Sequence, residues 1–402
     1  MAQPKLRFKR EDGTSYPEWI DMRISEFANC FAGATPSTTI KEYWNNGTIA
    51  WLSSGEVNKK QIYSTEKKIS QLGYDRCSTK MVKPNTVVMA LAGQGKTRGT
   101  VAITRIGVCT NQSLCAIETD DIIVDDYLFQ YLETQYDNLR HISSGDGTRG
   151  GLNLKLINDY FVPVPCIEEQ QKIADFLSTV DEVIAQSEAE VQNLEQQKKA
   201  AMQKIFSQEV RFRSEDGKKF PEWEETTLGK IGEVAMCKRV LKEQTAEVGD
   251  VPFFKISTFG GVPDAYISTE LYEKLKSEYR FPSKGAILIS AAGTIGKTVK
   301  YIGENAYYQD SNIVWLEHGN EISDDFLYQF YQQVVWEGLE GSTIKRLYNK
   351  NLLETHIGVP CLEEQQKIAD FFSDYDKAIS YAKQELDKWK ELKKGLLQQM
   401  FV

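Results

Sequence analysis

Two Gly-Lys-Thr triplets, Gly95-Lys96-Thr97 and Gly296-Lys297-Thr298, have the clearest claim to chemistry in this sequence. A lysine and a hydroxyl behind a glycine turn can hold a phosphate. A nucleotide-binding loop also needs a glycine five residues before the second one, so that backbone N–H groups wrap the phosphates closely. Ala90 and Ala291 stand at that position, and a strand rather than a helix is expected to follow each triplet. The triplets therefore read as turns offering Lys96, Thr97 and Arg98, or Lys297 and Thr298, to a phosphate backbone rather than to ATP. Other polar loops carry similar residues: Thr35, Ser37, Lys41 and Tyr43; Arg149, Asn153 and Lys155; Lys238 and Arg239; and Lys345, Arg346, Asn349 and Lys350. These are side chains that bridge phosphates or read base edges.

The usual catalytic patterns are missing. There is no Gly-x-Ser-x-Gly elbow, no His-Glu-x-x-His and no Asn/Asp-Pro-Pro-aromatic tetrapeptide. Seven cysteines are scattered without a Cys-x-x-Cys, and His141, His318 and His356 lie at no zinc-ligand spacing from them. No metal, no cofactor bound by this chain and no catalysis by the chain alone are expected.

The elements that position the loops come in two copies. Glu168-Glu169-Gln170-Gln171-Lys172-Ile173-Ala174-Asp175-Phe176 recurs unchanged as residues 363–371, each copy preceded by Val-Pro-Cys. Arg7-Phe8, Glu11-Asp12-Gly13 and Pro17-Glu18-Trp19 return as Arg211-Phe212, Glu215-Asp216-Gly217 and Pro221-Glu222-Trp223. The stretches between these anchors have diverged, which suggests two readers of different things in one frame. Within them, 86–92 and 101–106, with 285–291 and 298–302 in the second copy, are β-branched apolar runs that predict strands. Asp125–Tyr131 and Asp324–Phe330 predict amphipathic helices with acids at the positive end. Each globular part is thus α/β or α+β.

From Glu168 to Phe206 there is no proline or glycine, and one heptad register runs through Ile173, Leu177, Val180, Ile184, Ser187, Val191, Leu194, Lys198, Ala201 and Ile205. Shifted by 195 residues it continues through Ile368, Phe372, Tyr375, Ile379, Ala382, Leu386, Trp389, Lys393, Leu396 and Met400. This is a coiled-coil seam. A helix of 39 residues is about 58 Å long, and two such helices most simply pair with each other, antiparallel. Small Ser187 and Ala382 would then mark the crossing and put the globular parts at opposite ends. Lys198 and Lys393 break the seam at equivalent places, either as snorkelling stems or as register-setting charges. The organisation expected is two globular domains, 1–167 and 207–362, each followed by a long helix, 168–206 and 363–402.

Bulk properties bound the partners. The net charge of −9 hides a local balance: residues 1–167 carry 19 basic against 18 acidic residues, and 207–362 carry 18 against 23. Nucleic-acid contact would have to come from local clusters or a basic partner. No apolar run approaches the roughly 18 residues of a membrane span, and Met-Ala-Gln-Pro-Lys does not resemble a secretion signal. A cytoplasmic protein without membrane contact is expected. A coiled-coil scaffold joining protein partners is the competing reading, motivated by the acidic balance. Autonomous nucleotide hydrolysis at the Gly-Lys-Thr turns is a third.

The assembled pattern resembles the specificity subunits of type I restriction-modification systems. The matching residues are Gly33-Ala34-Thr35-Pro36-Ser37 before Tyr43-Trp44 and Ile49-Ala50-Trp51-Leu52, the Asn111-Gln112 pair, and Val164-Pro165-x-x-Glu168-Glu169-Gln170-Gln171-x-Ile173. Val251-Pro252-Phe253-Phe254-Lys255-Ile256 and Val359-Pro360-x-x-Glu363-Glu364-Gln365-Gln366-x-Ile368 supply the second copy. The resemblance implies two target-recognition domains, each reading half of a bipartite site in double-stranded DNA. It also implies that an antiparallel helix pair sets the spacer and docks two modification subunits. S-adenosylmethionine, ATP and magnesium would belong to those modification subunits and to two restriction subunits where these exist. The Gly-x-Thr-Pro-Ser element is clear only in the first copy; Met236-Cys237-Lys238-Arg239 stands in its place in the second. The target is therefore expected to be asymmetric.

Overall fold

Residues 4–93, 97–143, 151–336 and 346–401 are described by a computed structural model. They divide into two units: one formed by 1–188 with 384–402, the other by 189–383.

In the first unit the β-branched runs become the strands Val87–Ala90 and Val101–Thr104, buried at every position and paired antiparallel. They lie within a five-stranded sheet ordered Ala28–Ala32, Leu114–Thr119, Val87–Ala90, Val101–Thr104, Gln61–Ile62. Strand side chains alternate between faces, and here both faces are covered. Val87, Met89, Val101, Ile103 and Ile117 pack with Tyr127, Leu128 and Leu132 of the helix Asp125–Thr134 and with Ile173 and Leu177 of the first long helix, Ile167–Phe206. Val88, Ala102, Leu114 and Ala116 face the other way, toward Leu52, Val57, Val82 and Val108. Beyond that second face lies a four-stranded sheet ordered Lys67–Ile69, Ile49–Leu52, Val108–Thr110, Met81–Val82.

The second unit repeats the plan. Its four-stranded sheet runs Gly232–Ala235, Ile313–His318, Ile287–Ser290, Thr298–Lys300, and a three-stranded one runs Tyr266–Ile267, Val251–Phe254, Tyr307–Tyr308. Ile287, Ile289 and Leu316 turn toward the helix Asp324–Gln333 and the helix pair, whereas Leu288, Ile313 and Trp315 turn toward the outer sheet. In this unit Ser323, not an aspartate, caps the helix by accepting from the Phe326 N–H; in the first unit Val124 occupies the cap without a side-chain bond.

His318 ends the central strand with Nε2 3.2 Å from Asp324 Oδ1 and Nδ1 2.8 Å from the Gly319 carbonyl. The hydrogen bond to Asp324 raises its pKa above the ordinary 6.5. A raised folded-state value means the contact contributes fully below pH about 6.5 and is lost as pH climbs through the folded value. Wild type is therefore expected to lose stability across that window, while His318→Gln has a flatter profile; urea midpoints measured from pH 5.5 to 8.5 check this.

The two long helices, Ile167–Phe206 and Leu362–Met400, run antiparallel within each unit. In the first, Asp181 pairs with Lys393 (2.7 Å) and Glu188 with Lys390 (2.7 Å). In the second, Glu195 pairs with Lys383 (2.7 Å) and Lys198 with Asp376 (2.6 Å). Every apolar seam residue named above is buried or half-buried. The crossing differs from the one expected: Glu188–Lys390 sets Ser187 beside the Lys390 turn, eight residues along the second helix from Ala382. Lys198 and Lys393 are not frayed stems, because both are held by carboxylates, Lys393 by Glu133 (3.4 Å) as well as Asp181.

The repeated anchors turn out to be two halves of one latch. Glu169 is fully buried and receives Arg7 Nε (3.0 Å), Arg7 Nη2 (2.7 Å) and Trp19 Nε1 (3.0 Å). Glu364, equally buried, receives Arg211 Nε (3.2 Å), Arg211 Nη2 (2.7 Å) and Trp223 Nε1 (3.0 Å). The neighbouring glutamines complete it. Gln170 accepts from the Val124 N–H (2.8 Å) and donates to the Ile122 and Pro165 carbonyls (both 2.9 Å). Gln365 does the same with Ser323, Glu321 and Pro360. Each globular part is thereby pinned to the first turn of a long helix.

Candidate nucleic-acid interface

In the first unit the Gly-Ala-Thr-Pro-Ser segment follows the strand Ala28–Ala32. A Cβ on Gly33 would lie 2.0 Å from the Thr110 carbonyl oxygen, so only glycine allows the approach. The Ala34 N–H then donates to that carbonyl (2.9 Å), and Trp51 Nε1 donates to the Ala34 carbonyl (3.1 Å). Trp44, edge-to-face with Trp51 at 5.1 Å, donates to the Ser37 carbonyl (3.1 Å). The Thr35 hydroxyl donates to Gln112 Oε1 (2.5 Å), and Pro36 is buried. The loop is thus fastened from below while Thr35, Ser37 and Lys41 stay exposed and Tyr43 is half-buried.

Gln112 joins this loop to two others. Its neighbour Ser113 accepts the Leu91 N–H (2.8 Å), and Leu91 accepts the Leu152 N–H (2.9 Å). The strand end at Leu91 and the segment bearing Asn153 and Lys155 therefore meet at one end of the sheet, although about 60 residues separate them in sequence. Lys155 is exposed, and Asn153 caps the short helix Leu154–Asn158 by accepting from the Leu156 N–H (3.0 Å). Thr97 is half-buried and Arg98 only 8% exposed, so Arg98 does not stand on the open surface. Lys96, Arg149 and Lys345 lie outside the described residues.

The second unit assembles the equivalent surface with different chemistry. Ala291 donates its N–H to the Asn312 carbonyl (2.7 Å) and accepts the Leu347 N–H (2.8 Å), again tying turn to loop. Where the first unit has Thr35 on Gln112, here Arg239 Nε donates to Asp310 (2.8 Å). Arg346 bonds Asn312 Oδ1 (3.2 Å) and the Ser311 carbonyl (2.6 Å). Lys238 lies 4.8 Å over the Tyr279 ring, Lys297 donates to the Phe259 carbonyl, and Thr298 accepts from Gln332 Nε2 (2.6 Å). Asn349 and Lys350 open a short helix, with Lys350 3.7 Å from Glu354. Several basic side chains of this unit thus already hold internal partners.

Gln112, Asp310, Lys67 and Lys68 were not among the residues singled out from sequence as contacts. Only the Asn111-Gln112 pair carried a signal. Among the described residues no group of three or more His, Cys, Asp or Glu could hold a metal, and no helix is long and apolar enough to cross a membrane.

The family model described as type I restriction modification DNA specificity domain matches residues 16–196 and 221–390, one segment in each half of the sequence. A putative type I restriction enzyme specificity subunit of Haemophilus influenzae is 52% identical over 150 residues, 37% of this chain and 39% of that protein. The alignment thus spans about two fifths of that relative's length. The MjaVIII specificity subunit of Methanocaldococcus jannaschii is 24% identical over 97% of this chain and 94% of its own. The crystal structure of a type I restriction-modification system S subunit from M. genitalium matches with a TM-score of 0.63 at 18% identity, over 100% of this chain and 99% of that one. That likeness is one of fold.

Proposed function

The chain belongs to the type I restriction modification DNA specificity domain family and is a DNA specificity subunit of such a system; from that premise we propose that its two globular parts read different halves of one asymmetric, bipartite site. Residues 1–167 and 207–362 are the readers. Residues 168–206 and 363–402 form the helix pair that fixes the spacer and docks two modification subunits, which carry S-adenosylmethionine and methylate adenine. Restriction subunits with ATP and magnesium join where the system includes them.

The observation that carries this reading is the contrast between latch and loop. The Arg-Glu-Trp latch is kept atom for atom in both units, whereas the facing loops are fastened by Thr35–Gln112 in one and Arg239–Asp310 in the other. A neutral hydroxyl–amide pair and an ion pair present different donors to a groove, so the two half-sites are expected to differ. The test is a map of methylated adenines in host DNA with and without this gene. A two-part, non-palindromic motif that vanishes on deletion is the expected result. An unchanged map, together with equal affinity of the reconstituted complex for all duplexes, would favour the scaffold reading instead.

A further inference from the structure

Beside the Gly-Ala-Thr-Pro-Ser loop the first unit carries a groove of about 480 Å³ whose walls include Lys41, Trp44, Asn45, Glu66, Lys67 and Lys68. Lys67 and Lys68 sit on Lys67–Ile69, the edge strand of the outer sheet, in register with Trp51 and Ala50. Glu66, the carboxylate of this wall, is held by Lys59 at 3.3 Å. Lys41, Lys67 and Lys68 are all exposed, and none has a carboxylate within ion-pair distance among the described residues. Lys67 instead lies 5.9 Å over the Trp44 ring. The indole is itself fixed by Ser37 and Trp51. The groove is thus lined by three lysines without a carboxylate partner among the described residues, beside an indole held in place.

At the matching edge of the second unit the described residues differ. Its matching edge strand pairs Val251 with Ile267 and Pro252 with Tyr266, and Phe253 donates its N–H to the Ala265 carbonyl (2.8 Å). Ala265 and Tyr266 thus occupy the places of Lys67 and Lys68. The nearby Lys255 is neutralised by Asp264 at 2.8 Å.

We propose that the Lys41–Lys67–Lys68 groove grips the phosphate backbone of duplex DNA, so that the first unit supplies most of the sequence-independent hold and the second contributes mainly readout. This rests on the DNA-reading function proposed above. Phosphates fit better than bases because the three ammonium groups are point charges with no planar fork for bidentate base contact. The asparagine and the hydroxyl of Thr38 add neutral donors of the kind that orient a backbone.

The experiment measures binding of the full chain, reconstituted with its modification subunits, to a duplex carrying the mapped target and to an unrelated duplex. Salt is varied from 50 to 200 mM for wild type, for K41Q/K67Q/K68Q and for K41R/K67R/K68R. Each phosphate contact adds about 0.9 to the slope of log affinity against log salt. The glutamine variant is expected to lose about 2.7 from that slope, so its affinity falls about forty-fold less over this range than that of wild type. Affinity for both duplexes drops by the same factor, and the arginine variant keeps the wild-type slope. A slope unchanged to within about one contact would leave these lysines as charges that protect a sheet edge, and the inference would be wrong. A loss confined to the target duplex would overturn it too, by making them base readers. If wild type itself shows no target preference, the failure lies with the proposed function rather than with the groove.

Discussion

Glu169→Ala is expected to lower the unfolding midpoint of the first unit by roughly 8–16 °C, from a loss of about 4 kcal/mol. The carboxylate is completely buried and accepts three hydrogen bonds, two of them from the Arg7 guanidinium in a bidentate arrangement. Its hydrogen bond raises the already high Arg7 pKa, and a guanidinium stays charged even when that partner is removed. Alanine leaves a largely covered guanidinium and the indole N–H of Trp19 without their acceptor, which costs more than the lost attraction alone. Arg7 keeps the Pro17 carbonyl (2.7 Å) and some solvent, so the loss falls short of that for a wholly buried pair. Glu169→Gln should recover part of the stability, since an amide oxygen can still accept from Trp19. Thermal unfolding followed by near-UV circular dichroism checks both. An alanine midpoint within about 2 °C of wild type would show that the latch is ornamental.

Gln170→Ala is expected to cost about 3 kcal/mol, a midpoint lower by roughly 6–12 °C. One fully buried amide serves three backbone groups: the Val124 N–H and the Ile122 and Pro165 carbonyls. Val124 is the cap of the helix Asp125–Thr134 and has no side-chain cap of its own. In a capping box the residue three positions on satisfies the cap N–H; here a glutamine 46 residues later does so. Gln170→Glu keeps the acceptor and loses both donations, and should therefore be nearly as damaging. If instead the glutamate variant matched wild type, the two carbonyls would have to be satisfied by water.

These latches show why some of the molecule could be read in advance and some could not. The helix pair was legible because its signal is periodic: each seam residue repeats the message of the one a heptad before. The strands around Val88 and Leu288 were legible because continuous β-branched runs suit a sheet covered on both faces. The partners of Glu169 were not, since Arg7 lies 162 residues away and nothing in the sequence states that distance. The repeat marks the residues as special without stating what they bind. The outer sheets were hidden for a different reason. Strands of two or three residues, such as Met81–Val82 and Tyr266–Ile267, are too short to carry a period. The register of the helices aligns Glu188 with Lys390, a pairing that the spacing of small residues does not announce.

The division of the chain has a consequence for its birth on the ribosome. One unit is continuous, 189–383, while the other is assembled from 1–188 and 384–402. Met400 and Phe401 are buried in the core of that divided unit, with Phe401 against Tyr127 and Tyr131, and the Leu6 N–H is capped by the Gln399 carbonyl. The half that is translated first is thus completed last: it must wait, with part of its apolar surface unmet, for about 200 further residues to be made. At 5–20 residues per second that interval is on the order of ten to forty seconds. The unit begun first therefore cannot be complete until the residues of the other have all been made.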